Sequence, residues 1–240
     1  MAPCPHCKRD LVPTDRFCRA CRVALHWDPQ GRPVQVHPTI RPGQLVRRAD
    51  FRTTPIFGYT QRQGQQGTNM SFGPHPTGLL FAVNSPVTPT FPDNEHVVRD
   101  ACIRASFTVL DPGSRIGLVA RRSAFTTGNG RIGYALNVSI DSRRAWISAA
   151  VEGEGITQAT VLSTISNAAC IGGIGAFNVL ELRLQGPSVH AFINDTPLIQ
   201  LHDPLYGIGV FGLRVGREAP AGGPPTRVLC HGYEMFTVGQ

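Results

Sequence analysis

Two closely spaced pairs of cysteines near the N-terminus are the residues best suited to chemistry. The first pair is Cys4-Pro-His-Cys7 and the second is Cys18-Arg-Ala-Cys21. A C-x-x-C turn points two sulfur atoms at one ion, and two such turns complete the tetrahedral thiolate shell that Zn²⁺ prefers. Because a segment of about 25 residues buries too little apolar surface to fold alone, the metal must supply its stability. The spacing therefore predicts one structural Zn²⁺ ion per chain, bound by Cys4, Cys7, Cys18 and Cys21.

Two alternatives to this assignment are less favoured. His6 and His26 are close enough in sequence to act as ligands, but four cysteines already fill a tetrahedral site. A redox-active dithiol is not favoured, because no βαβ pattern surrounds either cysteine pair.

Residues 3–25 are similar to a known bacterial module. The run CPHCKRDLVPTDRFCRAC resembles the short bacterial zinc ribbon, including Phe17 directly before Cys18. Lys8 and Arg22 stand where that family usually has glycine after each cysteine turn. The resemblance implies a structural or protein-contacting role more often than DNA binding.

An aromatic residue among polar side chains marks a second candidate site. Arg144, Trp146 and Ser148 alternate along one predicted strand, so they share one face of that strand. A polar face with an aromatic ring is suited to holding a sugar or an acidic partner. The alternative is that Trp146 caps the core or packs against a linker.

The sequence contains no recognisable set of catalytic groups. A glycosidase needs two carboxyl groups facing each other across a cleft, whereas the acidic residues after residue 97 fall mostly in predicted turns or at strand ends. The nearest pair, Glu152 and Glu154, is typical of a solvated hairpin tip. Cys102 and Cys230 fall in the first and last strong strands and are interpreted as core thiols. We therefore expect no enzymatic activity.

The larger part of the chain has the composition and periodicity of short strands. Only 16% of the 240 residues are charged, while 26 glycines and 20 prolines favour tight turns. Tyr134, Leu136, Val138 and Ile140 alternate with other residues and share one face. Asn194-Asp195 suits a type I′ hairpin turn. These features predict an all-β antiparallel sandwich or jelly roll. The predicted strands are 98–110, 115–121, 133–140, 144–151, 177–185, 188–194, 207–215 and 227–238.

Four segments of this region resemble a known fold family. They are RIGLVAR (115–121), GYALNV (133–138), VHAFIN (189–194) and residues 203–213. They are similar to the concanavalin A-like sandwich domains, and within them to the group related to 3-keto-disaccharide hydrolases. Asp195 replaces the usual glycine after Asn194. The resemblance implies the fold and not an activity.

Proline density and charge divide the chain into three predicted parts. These are a zinc ribbon at 1–28, a Pro-rich linker at 29–48 and a concanavalin A-like β-sandwich at 49–240. No run of about 18 apolar residues is present, so no membrane span is expected. No apolar secretory segment follows the N-terminus, so a cytoplasmic location is expected.

The sequence favours a non-catalytic, zinc-binding interaction or assembly protein with a β-sandwich body. Its partner would be another protein or further copies of itself. The main alternative is a carbohydrate-binding, lectin-like module with a glycan partner. Less favoured are a glycoside-acting enzyme and a nucleic-acid binder that uses the basic ribbon, which contributes to the net charge of +7.

Overall fold

Every regular element in the described part of the chain is a β-strand. The structure, a computed structural model, describes residues 2–5, 7–12, 18, 20, 25–27, 32–35, 40–53, 70–84, 90–122, 131–153, 156–203, 208–218 and 224–239. These ranges contain no helix, and hence no helix long and apolar enough to cross a membrane.

The strands vary from two-residue bridges to one of 14 residues. In chain order they are β1 (Ala2–Pro3), β2 (Asp10–Leu11), β3 (Leu25–Trp27), β4 (Pro33–Gln35), β5 (Arg41–Asp50), β6 (Met70–His75), β7 (Gly78–Val83), β8 (Thr90–Val98), β9 (Ala101–Val109), β10 (Ser114–Arg122), β11 (Arg131–Ser139), β12 (Arg144–Gly153), β13 (Ile156–Ile165), β14 (Phe177–Gln185), β15 (Ser188–Ile193), β16 (Thr196–His202), β17 (Gly209–Arg217) and β18 (Thr226–Gly239).

Two antiparallel sheets form a sandwich. The six-stranded sheet has the order β13-β12-β11-β10-β17-β8. The eight-stranded sheet has the order β16-β15-β14-β9-β18-β7-β6, and β5 also pairs with β18. The short hairpins β1–β2 and β3–β4 belong to neither sheet. This architecture confirms the predicted all-β, antiparallel fold class.

The core lies between the inner faces of the two sheets. Tyr134, Leu136, Val138 and Ile140 are all at most 2% exposed and belong to one apolar cluster with residues of both sheets. The period-2 alternation seen in the sequence therefore reports burial on one face of β11. Burial of this continuous apolar cluster is the main stabilising contribution to the sandwich.

The β15–β16 turn has the predicted type. Asn194 and Asp195 have φ angles of 50° and 61°, and Ile193 pairs directly with Thr196. Two consecutive residues with positive φ define a type I′ turn, whose twist matches that of the strands it joins. Asn and Asp accept this conformation more readily than most residues other than glycine.

Part of the predicted linker belongs to the eight-stranded sheet. The strand β5 covers Arg41–Asp50 and pairs with the second half of β18, with Ala49 opposite Tyr233. Most side chains of β5 are exposed, so this strand lacks the apolar alternation by which a strand is recognised in sequence. The sheet therefore begins at Arg41 rather than at residue 49.

The long strand β18 organises one side of the eight-stranded sheet. Its first half pairs with β7 and its second half with β5, while β9 lies along its other edge. A register shift between Cys230 and Gly232 marks the point where β7 gives way to β5. The end of β5 and the β6–β7 turn consequently meet beside His231.

Candidate functional site

Three of the four predicted zinc ligands lie together. The Sγ atoms of Cys4, Cys7 and Cys18 lie within 4.8 Å of one another, and those of Cys7 and Cys18 are 3.5 Å apart. Thiolates bound to zinc at about 2.3 Å in a tetrahedron have sulfur atoms about 3.8 Å apart, so this spacing fits the ion. The side chains of the remaining predicted and alternative ligands lie outside the described residues: Cys21, His6 and His26.

The first cysteine turn is closed by backbone hydrogen bonds. The Lys8 N–H donates to the carbonyl of Cys4 at 3.0 Å, and the Cys4 N–H donates to the carbonyl of Arg9 at 2.8 Å. Lys8 has a φ of 65°, in the left-handed region that glycine adopts more readily. Lys8 therefore adopts this conformation at a steric cost that glycine would not have. Leu11 and Leu25 pack around the buried thiols.

Arg144, Trp146 and Ser148 lie on the outer face of β12, because the residues between them point into the core. Trp146 is only 9% exposed. The guanidinium carbons of Arg115 and Arg144 lie 5.1 and 5.0 Å from its ring centroid, within the range of cation–π attraction. Ser148 is buried and accepts a hydrogen bond from Asn137 at 3.3 Å. The ring therefore supports two cations rather than presenting an open platform to a sugar.

A cavity of about 550 Å³ lies on the outer face of the eight-stranded sheet. It is lined by the end of β5, the β6–β7 turn, β9, β14, the β15–β16 turn and β18, and we call it the sheet groove. The side chains in it that are best placed to contact a ligand are Arg48, Arg52, Arg104, Phe177, Asp195 and His231.

Phe177 gives the sheet groove an exposed aromatic ring. It is 57% exposed, and its ring centroid lies 5.2 Å from that of His231, at an interplanar angle of 39°. Nδ1 of His231 lies 2.8 Å from the carbonyl oxygen of Thr77, which can only accept, so Nδ1 carries the proton. In the neutral imidazole, Nε2 then accepts from the hydroxyl of Thr108 at 2.9 Å. These bonds hold the imidazole against Phe177 and make the pair a fixed wall.

The exposed guanidinium groups in the sheet groove face carboxylates. Arg48 lies 2.7 Å from Glu234. Nε of Arg52 donates to Asp50 at 2.9 Å, and hydrogen bonds from Arg52 lower the pKa of Asp50 to about 2. These pairs offer planar hydrogen-bonding groups with little net charge.

Arg104 is held from below by a buried carboxylate. Glu181 is 3% exposed and accepts hydrogen bonds from Arg104 at 2.9 Å and from Arg183 at 2.7 Å. Burial by itself raises the pKa of Glu181, but the hydrogen bonds from Arg183 and Arg104 outweigh it and lower the pKa. Arg104 also lies 3.6 Å from Asp195 at the rim. Glu181 therefore fixes the position of Arg104 in the sheet groove.

Ion pairing acts against acid catalysis at three carboxyl groups. Hydrogen bonds from arginines lower the pKa of Asp50, Asp111 and Glu181. The general acid of a glycosidase needs the opposite shift. Glu154, in the predicted hairpin tip, lies outside the described residues.

Cys230 is a core thiol, as predicted, whereas Cys102 is buried on the outer face of β9, because its neighbours Ala101 and Ile103 face the core. Both are fully buried, in β9 and β18. Burial raises the pKa of Cys102 to about 12, and that of Cys230 is raised by the same cause. A thiol held in its protonated form is a poor nucleophile.

Sequence reasoning did not identify the sheet groove. Its lining comes from six separate segments, which come together only when β5, β9, β14 and β18 pair. The available local signal was Phe177, a large aromatic residue at the first position of a strand. In a sequence such a residue is not distinguishable from one that packs in the core.

Comparisons with known proteins agree on the fold. No family model matches the sequence, and no curated protein matches it. Among solved structures, the carbohydrate-binding module CBM66 from Bacillus subtilis is 16% identical, with a TM-score of 0.52 over 71% of this chain and 91% of that chain. A Bacillus subtilis protein of unknown function with a galectin-like fold is 12% identical, with a TM-score of 0.53 over 84% and 100%.

An enzyme shares the same architecture. The κ-carrageenase from Pseudoalteromonas carrageenovora, in complex with an oligotetrasaccharide of κ-carrageenan, is 11% identical, with a TM-score of 0.53 over 84% of this chain and 98% of that chain. At such low identities the likeness shows the fold alone. The chain therefore has a galectin-like or concanavalin A-like β-sandwich.

Proposed function

We propose that this chain is a non-catalytic carbohydrate-binding protein and that the sheet groove holds the glycan. The observation that carries the proposal is the exposed ring of Phe177 beside guanidinium and carboxylate groups in one cavity of about 550 Å³. This volume is within the range of ligand sites, about 300–1,000 Å³. We therefore prefer carbohydrate binding, which was the main alternative from the sequence, to the interaction or assembly role that the sequence favoured.

The groups in the sheet groove match the two surfaces of a sugar. A sugar ring has an apolar face of C–H groups, which packs on an aromatic ring such as Phe177. Its rim of hydroxyl groups needs donors and acceptors, which Arg48, Arg104 and Asp195 supply. Solved proteins with a similar fold include a carbohydrate-binding module and a carrageenase bound to its oligosaccharide, which supports a glycan as the ligand class.

A glycan array followed by calorimetric titration tests this proposal. We expect the full chain to bind at least one class of oligosaccharide, and Phe177→Ala to weaken that binding by about tenfold or more, because burying a phenyl ring contributes about 1.5–3 kcal/mol. Ile208→Ala is the matched control, since Ile208 is an apolar residue that is 63% exposed and does not line the groove. Equal affinities for Phe177→Ala and the parent chain would reject the sheet groove as the binding site.

We further propose that Cys4, Cys7, Cys18 and Cys21 bind one structural Zn²⁺ ion. The spacing of the three described thiols supports this set, and the ion would supply the cross-link that so small a segment needs to fold. Four thiolates leave no open coordination position, so the ion would have no catalytic role.

Measuring the zinc content of the purified protein tests this proposal directly. We expect about one zinc per chain in protein purified without chelators, and well below that in Cys18→Ser. Cys170→Ser is the matched control, because Cys170 is a half-buried thiol of the sandwich. Equal zinc content in Cys18→Ser and Cys170→Ser would contradict the ligand assignment.

A protein partner, self-assembly, the cytoplasmic location and the resemblance to the 3-keto-disaccharide hydrolase group stay predictions. Light scattering of the zinc-loaded chain is the direct test of self-assembly.

A further inference from the structure

The sheet groove carries as many carboxylates as guanidinium groups. Among the residues that the structure describes, its charged lining consists of three arginines and three acidic residues: Arg48, Arg52, Arg104, Asp50, Asp195 and Glu234. The chain as a whole has a net charge of +7, and such a charge attracts polyanions to a protein surface in general. The groove therefore differs in charge from the chain that contains it.

Two exposed arginines are each paired with a carboxylate inside the groove. The guanidinium of Arg48 lies 2.7 Å from Glu234. Nε of Arg52 donates to both carboxylate oxygens of Asp50, at 2.9 and 3.0 Å. Hydrogen bonds from Arg52 lower the pKa of Asp50 to about 2, so this carboxyl group is ionised at neutral pH. Neither guanidinium is therefore an isolated positive charge.

The third arginine of the groove lies between two carboxylates. Arg104 is 2.9 Å from Glu181 and 3.6 Å from Asp195. Burial by itself lowers the pKa of Arg104, but the hydrogen bond and charge of Glu181, together with the charges of Asp195 and Glu234, outweigh it and raise the pKa. The positive charge of Arg104 is therefore balanced both beneath the groove and at its rim.

An arginine–carboxylate pair is complementary to hydroxyl groups. A guanidinium has five N–H donors, and a single carboxylate partner leaves several of them able to donate to a hydroxyl oxygen. The carboxylate keeps lone pairs that accept from a hydroxyl group. Neighbouring hydroxyl groups of a sugar ring both donate and accept, so a neutral sugar can use both members of each pair.

A sulfate or carboxylate group of a ligand matches only one member of each pair. It accepts from the guanidinium, but it has no proton to donate to the carboxylate beside it. Because Glu234 lies 2.7 Å from Arg48, an anion that approaches the guanidinium is repelled by the carboxylate at a similar distance. One such repulsion between charges about 4 Å apart in water weakens binding about fivefold. An anionic group also loses its hydration on binding, without a compensating attraction.

We propose that the sheet groove selects a neutral oligosaccharide and disfavours its sulfated or uronic acid counterpart. This inference rests on the glycan-binding function proposed above and specifies the class of glycan. The exposed ring of Phe177 packs against the C–H face of a sugar whether or not the sugar is charged. The discrimination therefore comes from the paired charges around Phe177, and changing one of them should change it.

A glycan array of matched neutral and acidic probes tests the selection with the full chain. The probes are oligosaccharides of dextran, inulin and galactan, each beside its sulfated form, and methyl-esterified oligogalacturonate beside its free acid. In calorimetric titration of the pair that binds, the neutral member should bind about fivefold or more tightly than the acidic one. Raising NaCl from about 0.05 to 0.5 M should change the affinity for the neutral member less than about twofold, because that ligand has no charge to screen.

Removing one carboxylate from the groove should reverse part of this preference. Glu234→Gln removes the charge that faces Arg48, so the ratio of acidic to neutral affinity should rise about three- to fivefold. Glu95→Gln is the matched control, because Glu95 also pairs with an arginine of β5, Arg47 at 2.9 Å, but does not line the groove. It should leave that ratio within about twofold of the parent value.

The possible failures are distinguishable through Phe177. Tighter binding of an acidic member that is lost in Phe177→Ala would overturn this inference and leave the proposed function intact. Equal changes of the affinity ratio in Glu234→Gln and Glu95→Gln would also overturn the inference alone. If no member of any pair binds in a Phe177-dependent manner, the proposed function fails, and the selection inferred for the groove fails with it.

Discussion

Replacing Arg214 with methionine is expected to make the folded chain more stable. Burial and two neighbouring arginines lower the pKa of this guanidinium to about 10 in the folded chain. Each pKa unit corresponds to 1.36 kcal/mol, so holding the charge in the folded chain costs about 3 kcal/mol. Methionine has a similar length and no charge, and it fills irregular space readily. The net gain in the free energy of unfolding should be about 1–3 kcal/mol, because some contacts of the guanidinium are lost.

The lowered pKa of Arg214 determines how the stability gain of Arg214→Met changes with pH. Below pH 10 Arg214 is charged in both the folded and the unfolded chain, so the full cost is present at pH 7. Above about pH 10 the folded chain loses the proton before the unfolded chain does, and the cost disappears as pH rises. The difference in stability between Arg214→Met and the parent chain should therefore be largest at neutral pH.

Equilibrium unfolding in urea at pH 7 measures the effect. One kcal/mol corresponds to about 2–4 °C in melting temperature for a chain of this size, so a thermal shift of several degrees should accompany the gain. Arg41→Met is the matched control and should stay within about 0.5 kcal/mol of the parent chain, as is usual for an exposed position. A loss of 1 kcal/mol or more in Arg214→Met would refute the reasoning, because it would mean that the folded chain already compensates this charge.

Two further predictions concern the cysteine turn and the buried carboxylate. Lys8→Gly should tighten zinc binding about two- to fivefold in competition with a chelator, because glycine adopts the observed φ of 65° without steric cost. Lys8→Ala keeps the Cβ and should not tighten zinc binding. If it tightened zinc binding as much as Lys8→Gly does, the effect would come from loss of the lysine side chain rather than from relief of the backbone conformation. Glu181→Gln should lower the free energy of unfolding at pH 7 by about 2–3 kcal/mol, since it leaves two guanidinium groups without their buried partner. That deficit should shrink as pH falls below about 4.5, where the carboxyl of the parent chain protonates on unfolding. Glu95→Gln, at a side chain that is 60% exposed, should cost less than about 0.5 kcal/mol, and an equal cost at both positions would contradict the role of burial.

The sequence was most informative where function or structure depends on local spacing. The two C-x-x-C pairs predicted a thiol cluster, and three of those thiols lie together in the structure. The alternation at residues 134–140 predicted which face of β11 is buried. Asn194-Asp195 predicted the type I′ turn, because turn type depends on the φ preferences of two adjacent residues.

Features that depend on distant segments were not visible in the sequence. The strand β5 owes its position to pairing with β18 rather than to an apolar pattern of its own. Phe177 and His231 become neighbours only when β14 and β18 both pair with β9. Arg214 alternates with core residues and looks like an ordinary solvent-facing arginine in the sequence. Its burial, and its lack of a carboxylate partner among the described residues, emerge only from the assembled six-stranded sheet.

The sequence identified only part of the arrangement around Trp146. Arg144, Trp146 and Ser148 do share one face, as alternation predicts, but Trp146 is covered by guanidinium groups that come from β10 as well as β12. The sequence could place the aromatic ring on a strand face, whereas its exposure was set by a neighbouring strand. The same limit explains why the sheet groove, with its exposed ring, was not identified.

The most direct test of the account is a crystal structure of the full chain bound to the oligosaccharide selected by the glycan array. A sugar ring should pack against the ring of Phe177, with its hydroxyl groups within hydrogen-bond distance of Arg48, Arg104 or Asp195. A sugar bound only elsewhere on the molecule, or an array on which no glycan binds, would contradict it.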